Sequence, residues 1–233
     1  MNSAKGWFRM SKQSLLLYLD APMQAWGYSS RFNRRTSASW PVKSGVVGML
    51  CAALGIERDD ETGIAQIAAL SMTVYTLQNS GQRLTDYHTV GGGYDPKTHR
   101  QNMSNKAGGG SPDTVLTDRE YLLDCKFGII LSGSPEVIEH CAEALQNPKW
   151  GVWFGRKCCV PAARIFEGTF ETEDQAKERL MELAQQLELG IKPWRTVKEA
   201  KTFEKGTDSL MDIPVNFASR TYQTRRIADE FTE

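Results

Sequence analysis

Between two strand-like segments, Met72 to Leu77 and Arg119 to Leu131, the chain carries a stretch with few residues able to fill a core. Residues 79–118 are rich in Gly, Ser, Thr and Asn and include the triplets Gly91-Gly92-Gly93 and Gly108-Gly109-Gly110. A structureless insert this long inside a compact domain is either functional or disordered. Its ends are different. Leu84, Tyr87 and Val90 on one side, and Val115 and Leu116 on the other, can pair as the base of a hairpin. The expectation is a thumb, 79–118, on a body made of residues 14–78 and 119–233. Residues 1–13 read as a disordered N-terminal tail, or as an early start with Met10 the working one.

Around the insert the elements follow by periodicity. Ser14 to Asp20 holds an unbroken apolar run, Leu15 to Leu19, and reads as a buried strand. Ser44 to Leu54 is apolar almost all round and reads as a buried helix with Ser44 as its N-cap. Asp59 to Leu70 gives a short helix with Ile64, Ile67 and Ala68 at helical spacing. Ser134-Pro135-Glu136 opens a helix to about Leu145, with Val137, Ile138, Cys141 and Leu145 on one face. Ala163 to Phe170 is a strand. Thr172 to Leu189 is an acidic amphipathic helix with Ala176, Leu180, Leu183, Ala184 and Leu187 inward. Lys192 to Val197 and Ile213 to Phe217 are further strands, and the end is basic and polar. The class is α+β, and the leading order, βαββαβ, describes a ferredoxin-like, RNA-recognition-type body with a C-terminal extension.

Net charge is zero, so total charge says nothing about a polyanionic partner. Its distribution does. Three windows contain no acid: 21–56 with Arg31, Arg34, Arg35 and Lys43; 144–166 with Lys149, Arg156, Lys157 and Arg164; 213–228 with Arg220, Arg225 and Arg226. Segregated charge can present one basic and one acidic face. Five cysteines form no metal-type spacing and read as reduced thiols of a cytoplasmic protein. No apolar run approaches the roughly 18 residues of a membrane span. The run after the basic N-terminus is shorter than the roughly seven residues of a signal-peptide core.

Candidate chemistry is sparse. The start of the Ser44 helix beside Lys43 is a ready phosphate site, and the bland alternative is an ordinary cap on a solvated loop. Tyr87-His88 with a nearby Lys could run metal-independent RNA cleavage, a base activating the 2′-hydroxyl. The alternative, preferred here, is a histidine that holds RNA or braces the hairpin. Three histidines with no metal spacing, and no Walker, HExxH or GxSxG motif, point to no cofactor and no metal. Trp26, Trp40, Trp150 and Trp153 could stack bases, but aromatics beside strands are usually core. Stacking is expected for Trp26 and Trp40, which lie in basic loops.

Read together, seven motifs resemble one family: APMQAWG (21–27), WPVKSGVVGML (40–50), LGIERDD (54–60), DYHTVGG (86–92), REYLLDCKF (119–127), FGRKCCVP (154–161) and NFASRTY (216–222). They are similar to the CasD family of type I-E CRISPR Cascade subunits, the fifth Cas protein family, from Leu15 to about Arg226. The N-terminal extension and the glycine-richer thumb tip depart from its pattern. The resemblance implies a RAMP-type ferredoxin-like body with a thumb, and a noncatalytic role in antiviral defence: capping the 5′ handle of crRNA. It implies CasC-type backbone subunits and a CasA-type large subunit as partners, target DNA indirectly through the complex, and cutting of the precursor by a separate CasE-type subunit. A related type I-C protein cuts for itself, so a metal-independent endoribonuclease processing pre-crRNA is the runner-up. A scaffold without RNA would leave the charge segregation and the thumb unexplained.

The residues expected to meet RNA are Gln24, Trp26, Arg31, Arg34, Arg35, Lys43, Ser44, Tyr87, His88, Arg119, Arg156, Lys157 and Arg220. Lys43, Arg156 and Lys157 are expected on handle phosphates, from their places at a helix start and a glycine turn.

Overall fold

A computed structural model describes residues 12–28, 30, 33–90, 115–189 and 194–232. Residues 1–11 of the expected N-terminal tail, the thumb tip and Arg31 fall outside these residues, while Gln13, expected in the tail, pairs with Gly133 in the first strand. The described elements are β1 (Gln13–Gln24), β2 (Arg34–Arg35), α1 (Lys43–Leu54), α2 (Glu61–Ala68), β3 (Ser71–Gln78), β4 (Arg83–Val90), β5 (Val115–Gly133), α3 (Pro135–Gln146), β6 (Phe166–Phe170), α4 (Glu173–Gln186), β7 (Trp194–Glu199), β8 (Asp208–Asn216) and β9 (Thr221–Thr232).

The leucine run of β1 is continuous because helices cover both faces of the sheet, and side chains alternate between them. Leu15, Leu17 and Leu19 join α1 and α3 in one core, with Val46, Leu50, Ile138 and Cys141. Leu16 and Tyr18 join α4 in the other, with Ala176 and Leu180. The acidic helix α4 is therefore on the opposite sheet face from α1 and α3. Its expected inward residues are buried except Leu187, which is 44% exposed. The helix ends at Gln186, so Leu187 has left the periodic stripe.

The sheet runs β6-β1-β5-β3-β7-β9-β8. Its first four strands pair antiparallel throughout. The long strand β5 serves two purposes. Its C-terminal half lies between β1 and β3, and its N-terminal half pairs with β4 from Leu122↔Arg83 to Val115↔Val90. The change of partner falls near Asp124, a non-glycine residue at φ 49. This is a mixed α/β fold dominated by one antiparallel sheet. The C-terminal region adds three strands beyond β3, one more than expected. β9 carries Arg225 on the buried side between Ile227 and the turn, so its apolar alternation is broken in sequence.

Candidate nucleic-acid interface

The open side of α1 is lined by small residues. Ser44, Gly48 and Ala52 recur every four residues, and with Gly45 they floor three adjoining hollows of about 250, 250 and 460 Å³. One wall is the segment 150–157, contributing Trp150, Gly151, Trp153, Gly155, Arg156 and Lys157. The other is Phe217 in the β8–β9 turn, Tyr222 at the start of β9, and Arg58 after α1.

Backbone hydrogen bonds fix the first wall. Lys149 and Trp150 donate to the carbonyls of Ala53 and Ala52 at the end of α1, at 2.8 and 3.2 Å. Phe154 is fully buried, stacks on Trp26 with centroids 6.0 Å apart, and its carbonyl accepts from Ala25. The turn after it needs glycine: Gly155 sits at φ +93, and a Cβ there would lie 1.7 Å from the Ala25 carbonyl oxygen. Arg156 then reaches back. Its guanidinium lies 4.5 Å from the Tyr121 ring centroid and donates to the carbonyls of Glu120 and Arg35. Lys157 is exposed, 5.7 Å from the Trp153 ring centroid, and Lys149 is 5.6 Å from that of Trp150.

The second wall is tied down at two points. Phe217 and Ala218 N–H groups donate to the Arg58 carbonyl, and Asn216 Nδ2 to Glu61. Nearby lies an ionic quartet in which Lys43, Asp212 and Arg225 are buried and Glu199 is partly exposed. Arg225 forks onto Asp212 at 2.7 and 2.9 Å, and Lys43 Nζ meets Glu199 at 2.6 Å. Arg225 also approaches Glu199 at 3.5 Å, and the Lys43 backbone N–H donates to Asp212 at 2.8 Å.

That quartet corrects the expectation for the helix start. The N-cap is Val42, without a side-chain cap, and not Ser44. The first helical amide is occupied by the Asp212 carboxylate, and Lys43 is 3% exposed, so neither is open to a phosphate. Gln24 and Trp26 are corrected likewise. Gln24 is fully buried, donating to the Cys125 carbonyl and accepting from Trp26 Nε1. Trp26 is buried under Phe154, its ring edge bordering one hollow, and offers no face for stacking. Trp40 is half-buried, with the Arg195 guanidinium 4.5 Å from its ring centroid.

Other expected residues gather at the hairpin base. β2 lies parallel to β5, placing Arg34 beside Asp118 and Arg35 beside Arg119. Across β5, Tyr87 faces Asp118 and His88 faces Thr117. Tyr87 is 66% exposed, and His88 Nδ1 is 3.3 Å from Asp86. Arg119 is half-buried and donates to Thr117. Arg220 is exposed in the β8–β9 turn at φ 58. Ser44, Arg156 and Lys157 line the groove. Sequence reasoning set Trp150 and Trp153 aside as core and did not single out Phe217, Tyr222 or Arg58. The available signal was a lysine beside or near each tryptophan, Lys149 and Lys157.

The family described as CRISPR-associated protein (Cas_Cas5) matches residues 14–228. The CRISPR system Cascade subunit CasD of Escherichia coli (strain K12) is 32% identical over 177 residues, covering 71% of this chain and 75% of the relative. A solved structure described as a CRISPR RNA-guided surveillance complex superposes with a TM-score of 0.72 at 30% identity, covering 94% of this chain and 90% of that one. Another, described as the crystal structure of a Cas protein, gives a TM-score of 0.65 at 28% identity, covering 94% of both chains. With its matched span running from the first residues of β1 into β9, the chain belongs to the CRISPR-associated protein (Cas_Cas5) family.

Proposed function

We propose that this chain is a noncatalytic subunit of a type I-E Cascade surveillance complex that binds and caps the 5′ handle of crRNA. The observation that carries the reading is the Gly155-Arg156-Lys157 turn. It joins the α1 groove to the hairpin base through Arg156, on the sheet face opposite the acidic helix α4. Single-stranded RNA is held by cations on its phosphates and by aromatic rings on its splayed bases. Lys157, Arg34 and Arg220 are exposed cations along this path, with Arg58 and Lys149 exposed beside the groove.

The strand order β6-β1-β5-β3 with α1 and α3 packed on one face supports a ferredoxin-like, RAMP-type body. The β4–β5 hairpin base supports a thumb over 79–118. In this reading the thumb meets CasC-type backbone subunits and the crRNA. The body meets a CasA-type large subunit, and target DNA is engaged through the complex. The reading of the thiols as reduced keeps the assembly in the cytoplasm. Among the described residues no helix is long and apolar enough to cross a membrane.

The noncatalytic assignment rests on the hairpin base. Asp86 at the His88 Nδ1 would suit a base as well as a brace, but Lys43 is held on Glu199 and is not free to stabilise charge on a cleaved phosphate. The test incubates the purified protein with a single-stranded repeat RNA in EDTA. The RNA is expected to be retained intact by wild type and less tightly by His88→Ala. A cyclic-phosphate product made by wild type and lost in His88→Ala would overturn the noncatalytic assignment in favour of the endoribonuclease.

A further inference from the structure

We propose that the largest hollow of the α1 groove, about 460 Å³, holds one unpaired nucleobase against the Trp153 and Phe217 rings, with Lys157 and Arg58 on the flanking phosphates. This deepens the RNA-binding reading and rests on it.

Shape gives the first reason. The floor, Gly48 and Ala52, has almost no side chain, so a flat ring can lie close to the helix. A Cβ added at Gly48 would stand 3.4 Å from the Phe217 ring, in ordinary contact, so the floor lies close beneath that wall. The hollow lies within the roughly 300–1,000 Å³ of small-ligand sites.

The lining gives the second. Trp150, Trp153, Phe217 and Ile56 supply apolar and aromatic surface. Polar groups sit at the rim, where Arg58 and Lys157 outnumber the single lining carboxylate, Glu57. A base flanked by phosphates matches a ring-lined hollow with a cationic rim. An apolar protein side chain would match the rings but bring no anion to Arg58, which donates to the Phe217 carbonyl, or to Lys157, which lies near the Trp153 ring. Stacking reads the π-face that every base has, so the hollow should accept purine or pyrimidine.

The third reason is that both walls are fixed before any ligand arrives. Lys149 and Trp150 amides are bonded to α1 carbonyls, and the Phe217 amide to Arg58. The Asp212–Arg225 pair holds β8 to β9 beneath the turn. A preformed slot spares the ordering cost that weakens mobile sites.

The probe is a short single-stranded RNA of the repeat, carrying 2-aminopurine at successive positions along one series and an abasic residue along another. We expect one position whose fluorescence changes on binding to the full-length protein. Loss of the base at that position should weaken binding roughly 5- to 100-fold. Phe217→Leu, which keeps apolar volume, should abolish the fluorescence change. Ala52→Leu fills the hollow from the half-exposed floor without removing a core group, and should do the same. If RNA binds with its salt dependence intact, yet no position responds and Ala52→Leu binds as wild type does, the hollow is not a base site while the RNA reading stands. Normal RNA binding by Ala52→Leu with lost association to neighbouring subunits would assign the hollow to a protein, and also overturns the proposal. Absence of any RNA binding would remove both the proposal and the reading beneath it.

Discussion

Replacing Lys43 should reveal a structural residue and not a phosphate contact. Lys43→Met removes the Nζ–Glu199 bond of 2.6 Å but leaves the backbone N–H on Asp212, because that bond does not involve the side chain. Glu199 keeps Arg225 at 3.5 Å and is 28% exposed, so solvent softens its loss. Deleting one partner of a fully buried pair costs about 3–5 kcal/mol. A charge-assisted bond with one half-exposed end sits lower, at about 2 kcal/mol. In a chain of this size that lowers the melting temperature by roughly 4–8 °C. Asp212→Ala should be worse. It leaves Arg225, whose side chain is 5% exposed, with only the longer 3.5 Å approach to Glu199, and it uncaps α1, so about 3–5 kcal/mol, or roughly 6–20 °C, is expected.

The assay is thermal unfolding followed by tryptophan fluorescence, paired with RNA affinity at several salt concentrations. For Lys43→Met the slope of log affinity against log salt should equal that of wild type, because slope counts phosphate contacts. A Lys43→Met protein with wild-type stability and a reduced slope would refute the reasoning, since it would show Lys43 on the RNA and not on Glu199.

The remaining expectations are brief. Lys157→Ala should weaken RNA binding by about 1–3 kcal/mol and lower the salt slope by about 0.7; Arg156→Ala should also destabilise the fold, because it loses Tyr121 and two carbonyls. Equal melting temperatures for the two variants would count against that division of roles. Burial pushes the thiols of Cys51, Cys141 and Cys159 up to about 12, and that of Cys125 upward, so at mildly alkaline pH a thiol reagent should label one residue fast, the exposed Cys158. Fast labelling of two or more would contradict the packing around α1 and α3. Replacing 91–110 by a short linker should leave the melting temperature nearly unchanged and abolish assembly with partner subunits; an insoluble product would place that segment in the core.

Local signals in the sequence were followed faithfully where local physics decides. Leu15 to Leu19 is a strand buried on both faces, and α2 starts at Asp60, which accepts from the Gly63 amide. The hairpin base was legible from its flanking apolar residues. Groups whose partners lie far along the chain were not. Lys43 reads as a free cation beside a helix start because Glu199, Asp212 and Arg225 lie more than 150 residues away. Trp26 sits in a basic loop but is drawn into the core by Phe154, whereas Trp150 and Trp153 border the groove. Composition is the same in both cases, and the distinction is made by tertiary packing. β9 was hidden because a charged residue, Arg225, takes a buried position that the period-2 pattern reserves for an apolar one.

The central claim is that this chain holds the constant 5′ end of a guide RNA within a surveillance complex. The direct measurement is affinity purification of the tagged chain expressed together with its genomic neighbours, followed by sequencing of the nucleic acid that comes with it. The account predicts a discrete complex containing small RNAs of defined length that share one 5′ sequence, and loss of that RNA class, with the complex disrupted, when Arg34, Lys157 and Arg220 are all changed to alanine. Recovery of the chain alone, or with RNA of random 5′ ends unaffected by those changes, would contradict it.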